Sequence, residues 1–384
     1  MLVATKIRLY PNAGQREALA RQFGCARFVW NWALALKKEA FAERHESLSV
    51  YVIKAMLPGW KEELPWLAEA DSQVLQHSIL NLGRAYENFF ARRAGYPKAK
   101  SKHGEQSIQY PQRVKVEGGR ICLPKVGEVK AVVHRAIEGT IKTVTISQSA
   151  TGKYYAAVLG EDAAAAPSPL VHLDTVSGVD CGITDCIVTS DGDKSGNPRF
   201  LKRAQATLRR RQKSLSRKVK GSHNRAQARQ RLALAHERVA AARADWQHKV
   251  SRALADENQA VVMETLKVKN MLKNHPLARA IADAGWQGLT LKVKYKLERK
   301  GGHFVALDPF FASSKSCSCC DHKLATLALS QRFWQCPKCG TVHDRDINAA
   351  VNIKKQGIVQ LQAAGLTVSA HGGLRKPSVA LAAA

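Results

Sequence analysis

Three carboxylates and four thiols carry the chemistry open to this sequence. Asp180 lies in Gly178-Val-Asp-Cys-Gly182, an apolar run that predicts a strand, between glycines that would let a ligand approach the backbone. Glu264 closes Gln259-Ala-Val-Val-Met-Glu264, a run too apolar for a loop, so the acid is expected at the rim of a sheet. Asp346 lies in Asp344-Arg-Asp-Ile-Asn-Ala-Ala350, near a helix N-terminus, where the dipole favours negative charge. Taken singly, an acid at a strand end or helix cap is usually structural.

The order of the three says more. An acid on a first strand, one on a later strand and one on a final helix are what an RNase H-like fold brings into one cleft. Three such carboxylates repel by about 4 kcal/mol per pair at ~4 Å with an effective dielectric of ~20. Divalent cations relieve that repulsion, and Mg²⁺ prefers carboxylates, water and phosphate oxygens. Two ions about 4 Å apart can hold a phosphodiester and stabilise its attacking and leaving oxygens. The chemistry expected is hydrolysis, with water displacing the 3′ oxygen.

The thiols form Cys317-Ser-Cys-Cys320 and Cys336-Pro-Lys-Cys339, two Cys-x₂-Cys pairs with 15 residues between them. This is zinc-ribbon spacing, and each pair can grip one side of a tetrahedral ion. Spacing favours Cys317 over the extra thiol Cys319. Four thiolates leave no open position, so one structural Zn²⁺ is expected and His343 is not needed as a ligand. Five of the nine cysteines lie between 317 and 339, and the odd count argues for metal binding in a reducing cytosol rather than a disulfide framework.

The elements that must position these groups are legible in outline. Residues 1–10 alternate and end at Tyr10-Pro11-Asn12, which predicts a strand and a turn. Helices are expected over 14–45 and 71–93, the second capped by Asp71 or Ser72. Short β-rich runs between Gly-rich turns over 107–160 predict a small β-barrel. Ala163-Ala-Ala-Ala-Pro-Ser-Pro169 reads as a linker. A hairpin over 176–192 closed by Asp191-Gly192, a helical hairpin over 201–254 broken near Gly221-Ser-His-Asn224, a strand at 259–264, a helix at 276–300, a strand at 303–307 and a helix at 346–355 follow. The tail after 365, with His371-Gly-Gly373, is expected to be mobile.

The 384 residues carry 60 Lys and Arg against 31 acids, a net charge of +29, with 45% hydrophobic residues. Such an excess opposes compaction unless a polyanion neutralises it, and nucleic acid is the natural partner. Residues 201–252 hold 16 basic residues and only Glu237 and Asp245 as acids. Arg209, Arg210, Arg211, Lys213, Arg217 and Lys218 would line a helix, and with so few acids to pair them phosphate contact is favoured over a solvated face. Trp30, Trp32, Trp60 and Trp66 could stack on bases but suit a core better. No apolar run of about 18 residues supports a membrane span, and the N-terminus lacks a signal-peptide core. A cytosolic setting is expected.

These motifs together resemble the TnpB (OrfB) family, RNA-guided DNA endonucleases of insertion sequences related to type V CRISPR effectors. The resemblance rests on Arg8-Leu-Tyr-Pro11, Ala26-Arg-Phe-Val-Trp-Asn31, Leu82 to Phe90, Gly178-Val-Asp-Cys-Gly182, Ser313-Ser-Lys-Ser-Cys317, Cys336-Pro-Lys-Cys-Gly340 and His343-Asp-Arg-Asp-Ile-Asn-Ala-Ala350. It implies an α+β multidomain chain: a wedge β-barrel (1–12 and 101–165) interrupted by a helical recognition lobe (13–100), then a RuvC domain (170–312, with the basic hairpin 201–254), a zinc ribbon (313–341), a final RuvC helix (342–356) and a tail (357–384). It implies a monomer carrying a guide RNA from the transposon end, and double-stranded DNA cut beside a short transposon-adjacent motif. The catalytic acids carry over to Asp180, Glu264 and Asp346, with two Mg²⁺. Motif-reading positions fall near Tyr51, Ser72, Gln73, Gln76 and Gln112, and Gln76 matches a glutamine of a relative, a residue type that pairs bidentately with adenine. Asp321 stands where glycine is usual. Two other readings compete: a guide-directed repressor that does not cut, which would have lost a triad acid, and a DDE transposase, whose last acid would be Glu.

Overall fold

The computed structural model describes residues 2–369 except 138, 162–166, 310, 312 and 329. Of the tail expected to be mobile after 365, Thr367–Val368 instead pair as a strand with His172–Leu173; the tail from 370 on, and positions 163–166 of the predicted linker, lie outside the described residues. The fold is α+β, and the chain divides into two compact units, residues 1–165 and 166–384.

The first unit opens with β1 (Leu2–Tyr10), followed by the helices α1 (Ala13–Arg44), α2 (Val50–Ala55), α3 (Leu57–Glu63) and α4 (Ser72–Phe90). Asn12 and Gln15 close a reciprocal capping box on α1, and Asp71 caps α4 by accepting from the amides of Gln73 and Val74. Then come β2 (Gln106–Tyr110), β3 (Lys115–Glu117), β4 (Arg120–Leu123), β5 (Gly127–Val132), β6 (Thr140–Gln148) and β7 (Tyr154–Glu161). These strands and β1 form one antiparallel sheet in the order β2-β6-β7-β1-β5-β4-β3. Its alternating apolar face, including Ile7, Leu9, Ile121, Val144 and Val158, packs with Leu19 and Phe23 of α1 and Val74 of α4. Trp30 and Trp60 are buried in a second, helical core, and Trp32 stacks on Trp60 at 4.3 Å, so these rings are core residues.

The second unit contains β8 (His172–Leu173), β9 (Val176–Asp180), β10 (Val188–Thr189), α5 (Phe200–Ser216), α6 (His223–Glu257), β11 (Ala260–Glu264), α7 (Val268–Met271), α8 (His275–Ala284), α9 (Trp286–Glu298), β12 (His303–Leu307), β13 (Phe333–Gln335), β14 (Val342–Asp344), α10 (Arg345–Ala363) and β15 (Thr367–Val368). Its central sheet runs β10-β9-β11-β12, with β9, β11 and β12 parallel and β10 antiparallel at the edge. Both faces are covered, which is why β11 is a continuous apolar run. Val261 and Met263 pack with α6 and α9 on one face; Ala260 and Val262 pack with Ile353 and Leu361 of α10 on the other.

Several expected elements are adjusted. The predicted helix at 276–300 is two helices, because Gly285 takes a left-handed φ of 63° and ends α8. The turn at Asp191-Gly192 closes only a small bridge between Val188 and Lys194, while loop 181–187 joins β9 to β10. The final helix extends to Ala363. The N-terminus of α5 has no cap of its own; Asp283 of α8 accepts from the amides of Leu201 and Lys202 and pairs with Arg243 at 3.5 Å.

Gly178 was expected to admit a ligand. Instead it admits α10: a Cβ there would lie 2.1 Å from the Ala350 carbonyl oxygen. Gly357 of α10 is likewise seated on Val262, where a Cβ would meet a side-chain methyl at 2.2 Å. Gly178→Ala should therefore destabilise the chain by about 3 kcal/mol in urea unfolding. Gly59→Ala, where a Cβ meets nothing within 4 Å, should leave stability equal or slightly higher.

Candidate active site

Strand register sets the first two acids side by side. Met263 pairs with Val179 across the parallel β9–β11 ladder, so Asp180 and Glu264 are adjacent at the C-terminal ends, where parallel sheets present their ligands. Alternation puts residues 176, 178 and 180 on the α10 face of β9, and 260, 262 and 264 on the same face of β11. The helix completes the set. Ala350 sits over Gly178, and Asp346 lies one turn earlier on the same helix face, above Asp180. The N-cap Asp344 accepts from the amides of Asp346 and Ile347 at 3.0 and 3.1 Å.

The electrostatics report the same convergence. Burial, then the charges of Glu264 and Asp346, hold the Asp180 carboxyl well above the ordinary carboxylate range, against the pull of Arg345 and Arg332. Burial also raises Glu264, partly offset by the Cys181 amide, which donates to its Oε1 at 3.4 Å. Burial and the two acids raise the Cys181 thiol too, so it stays protonated and is no nucleophile. Burial would push Asp344 up, but Lys194, whose Nζ is 2.6 Å from its Oδ2, and the two capping amides outweigh it and hold the carboxyl below its usual value.

Sequence reasoning missed Arg332. Its Nη1 donates to both carboxylate oxygens of Asp346 at 3.3 and 3.2 Å, and its Nη2 reaches Thr184 Oγ1 at 3.3 Å. The only signal in the chain was its place between the cysteine pairs, which says nothing about direction.

The sulfurs of Cys317, Cys320, Cys336 and Cys339 all lie within 4.8 Å of one another, a group that could hold a metal ion. Among the described residues the three carboxylates do not form so tight a group. Cys317 and Cys336 are buried and Cys319 is exposed. His343 Nε2 lies 3.0 Å from Cys317 Sγ, with burial lowering its pKa. Asp321 takes the left-handed φ of 58° that the turn after Cys320 demands, as Gly340 does at 74° after the second pair; this is why glycine suits that position. The cysteine loops are tied to α10 by two asparagines four residues apart. Asn348 accepts from the Ser318 amide and donates to the Ser316 carbonyl, and Asn352 donates to the Ser313 and Ser316 carbonyls.

The candidate nucleic-acid residues are scattered. Arg209, Arg210, Lys213, Arg217 and Lys218 line one concavity of 620 Å³ on α5, whereas Arg211 turns to the Arg231 carbonyl on α6. In the other unit, Tyr51 on α2 is exposed. Ser72, Gln73 and Gln76 share the first turns of α4, where Ser72 accepts from Lys61 Nζ at 2.6 Å, and Gln112 is exposed in the loop after β2.

Comparison with known proteins places this arrangement. A family model described as "Probable transposase" (OrfB of IS605) matches residues 165–275, a "Cas12f1-like, TNB domain" model residues 286–353, and a "Helix-turn-helix domain" model residues 1–46, where this chain forms β1 and the one long helix α1. A Streptomyces pristinaespiralis protein named "Putative RNA-guided DNA endonuclease" is 40% identical, over 97% of this chain and 92% of its own. Escherichia coli K12 "Putative RNA-guided DNA endonuclease InsQ" is 34% identical, over 93% and 92%. The Cas12f1 chain of a cryo-EM complex with sgRNA and target DNA superposes with a TM-score of 0.59 at 13% identity, over 92% of this chain and 98% of that one. The chain belongs to the TnpB family.

The raised carboxyls have a stability consequence. A carboxyl whose folded pKa exceeds its unfolded value contributes stability that is full below about pH 4 and is lost as pH rises through the folded value. In chelator at neutral pH, Asp180→Asn should therefore melt about 2–4 °C above the parent, and calorimetry at about pH 4 should show the gain gone.

Proposed function

We propose that the chain is an RNA-guided endonuclease that hydrolyses double-stranded DNA beside a short transposon-adjacent motif. The observation that carries this reading is the convergence of Asp180, Glu264 and Asp346 at one end of a parallel sheet. The names of the relatives supply RNA guidance and DNA as the target. The wedge barrel, recognition lobe and RuvC boundaries set out from the sequence belong to the same proposal, as do the monomeric complex with guide RNA and the cytosolic setting. Among the described residues no helix is long and apolar enough to cross a membrane.

The carboxylates fit Mg²⁺ by their chemistry. Hard oxygen donors gather where burial disfavours the charged forms of Asp180 and Glu264, and the charges of Glu264 and Asp346 add to that at Asp180; cations are what would restore them. Two ions belong to the proposal, one for the attacking and one for the leaving oxygen. Bound there, Mg²⁺ supplies charge neutralisation at the phosphodiester and lowers the pKa of water. The residues themselves do the rest. Asp180 and Glu264 fix the donor oxygens on rigid strands, Asp346 closes the cleft from the helix, and Arg332 sets a guanidinium beside the carboxylate that must face a phosphate. Zn²⁺ fits the four sulfurs, and through Asn348 and Asn352 the ribbon braces the helix that carries Asp346.

A repressor that does not cut would not need all three acids, and all three are present. A DDE transposase is disfavoured by aspartate in the last position.

Asp180→Ala in the complex purified with its guide RNA should cut a matched plasmid at least about 1,000-fold more slowly in Mg²⁺ while gel-shift binding stays within about threefold. Undiminished cutting would defeat the assignment. Metal analysis should find about one zinc per chain, and Cys336→Ser should lose it together with thermal stability.

A further inference from the structure

A cleft of 580 Å³ opens beside Glu264 and has no role in the chemistry above. Its walls are Leu266, Val268, Trp286, Leu291 and Ala306, with the polar side chains of Asn270, Gln287 and Thr290 among them and Lys267 and Lys269 in its lining. The volume lies in the range that takes one small organic group. Cys181 and Glu264 form the end next to the carboxylates.

Trp286, the first residue of α9, is 3% exposed, and its indole Nε1 is buried with no acceptor among the described residues. Leu291, one wall of the cleft, is 59% exposed, a cost for a large apolar side chain unless something covers it.

Resting on the nuclease reading, we infer that this cleft takes one unstacked nucleobase of the strand being cut, next to the scissile phosphate, and that Gln287 and Asn270 bias which base enters. A base supplies what the cleft lacks. Its flat faces match an apolar slot, and stacking or apolar contact holds it without regard to sequence. Its Watson–Crick edge, free in a single strand, offers acceptors and donors to the exposed carboxamides. The adjoining phosphates carry the negative charge that lysines in the lining attract. Continuity with Glu264 fixes the register, because the base in the cleft must belong to a nucleotide flanking the bond that is broken. An apolar metabolite would leave the exposed carboxamides unmatched, and a lipid would not favour the carboxylate end.

The test uses the full-length protein with its guide RNA, in Mg²⁺, on target DNA whose sequence is randomised around the cut, with product ends sequenced. The wild-type complex should show a base preference confined to one position flanking the cut, of about fivefold or more. Gln287→Ala and Asn270→Ala, both at exposed positions, should flatten the preference at that position and no other. Leu291→Trp, which fills the slot from an exposed site, should raise KM for the cut strand about tenfold with a smaller fall in kcat. A wild-type complex that cuts with no preference there, or a preference that survives all three substitutions, overturns the base-binding cleft. A wild-type complex that cannot cut in Mg²⁺ overturns the carboxylate reading itself, and the cleft proposal with it.

Discussion

The contact between Gly178 of β9 and the backbone of α10 is the constraint on which this site depends. At this point the Ala350 carbonyl oxygen occupies the volume a β-carbon would need. Without that approach the helix would ride higher on the sheet, and Asp346 would stand away from Asp180 and Glu264. A second glycine, Gly357, lets the same helix settle on Val262. Sheet and helix therefore meet by backbone and small-residue contact, which leaves little rotamer freedom and fixes the third acid relative to the first two. Mutual positioning of this kind is what metal-assisted chemistry needs, since misplacement of about 1 Å can cost about 100-fold in rate.

Against that packing stands a repulsion. Burial and neighbouring negative charge both raise Asp180, so the acids are held together by the surrounding core at some expense in stability. The opposition is local. The chain as a whole has a net charge of +29, and basic groups crowd the site's edge: Arg332 on Asp346, Lys194 on Asp344 and Arg345 beside both. On the proposed function, these basic groups would draw a polyanion toward the acids, with cations between acid and phosphate. The cysteine loops enter the same logic, because the strand pair they carry delivers Arg332 and their backbone carbonyls are held by α10.

Much of this was legible in the chain. The strands bearing Asp180 and Glu264 could be read because a sheet covered on both faces writes an unbroken apolar run, and the helix bearing Asp346 because Asp344 supplies its cap. The cysteine spacing picked out the four sulfurs that come together. Other features were not legible because they arise only on folding. Gly178 looks in sequence like a ligand-admitting glycine, and only the docked helix explains it. The break at Gly285 was hidden inside a helical pattern that continues on both sides. Arg332, 14 residues before Asp346 in the chain, faces it through a strand pairing that no local pattern announces. The basic stretch read as one face, yet Arg211 points across to α6 while its neighbours line the concavity.

The central claim is that three distant carboxylates form one divalent-cation site. Anomalous diffraction from crystals soaked in Mn²⁺ tests it most directly. Two peaks about 4 Å apart, each touching oxygens of at least two of Asp180, Glu264 and Asp346, are the expected result. Manganese bound elsewhere, with those oxygens still held by Arg332 and Cys181, would contradict it.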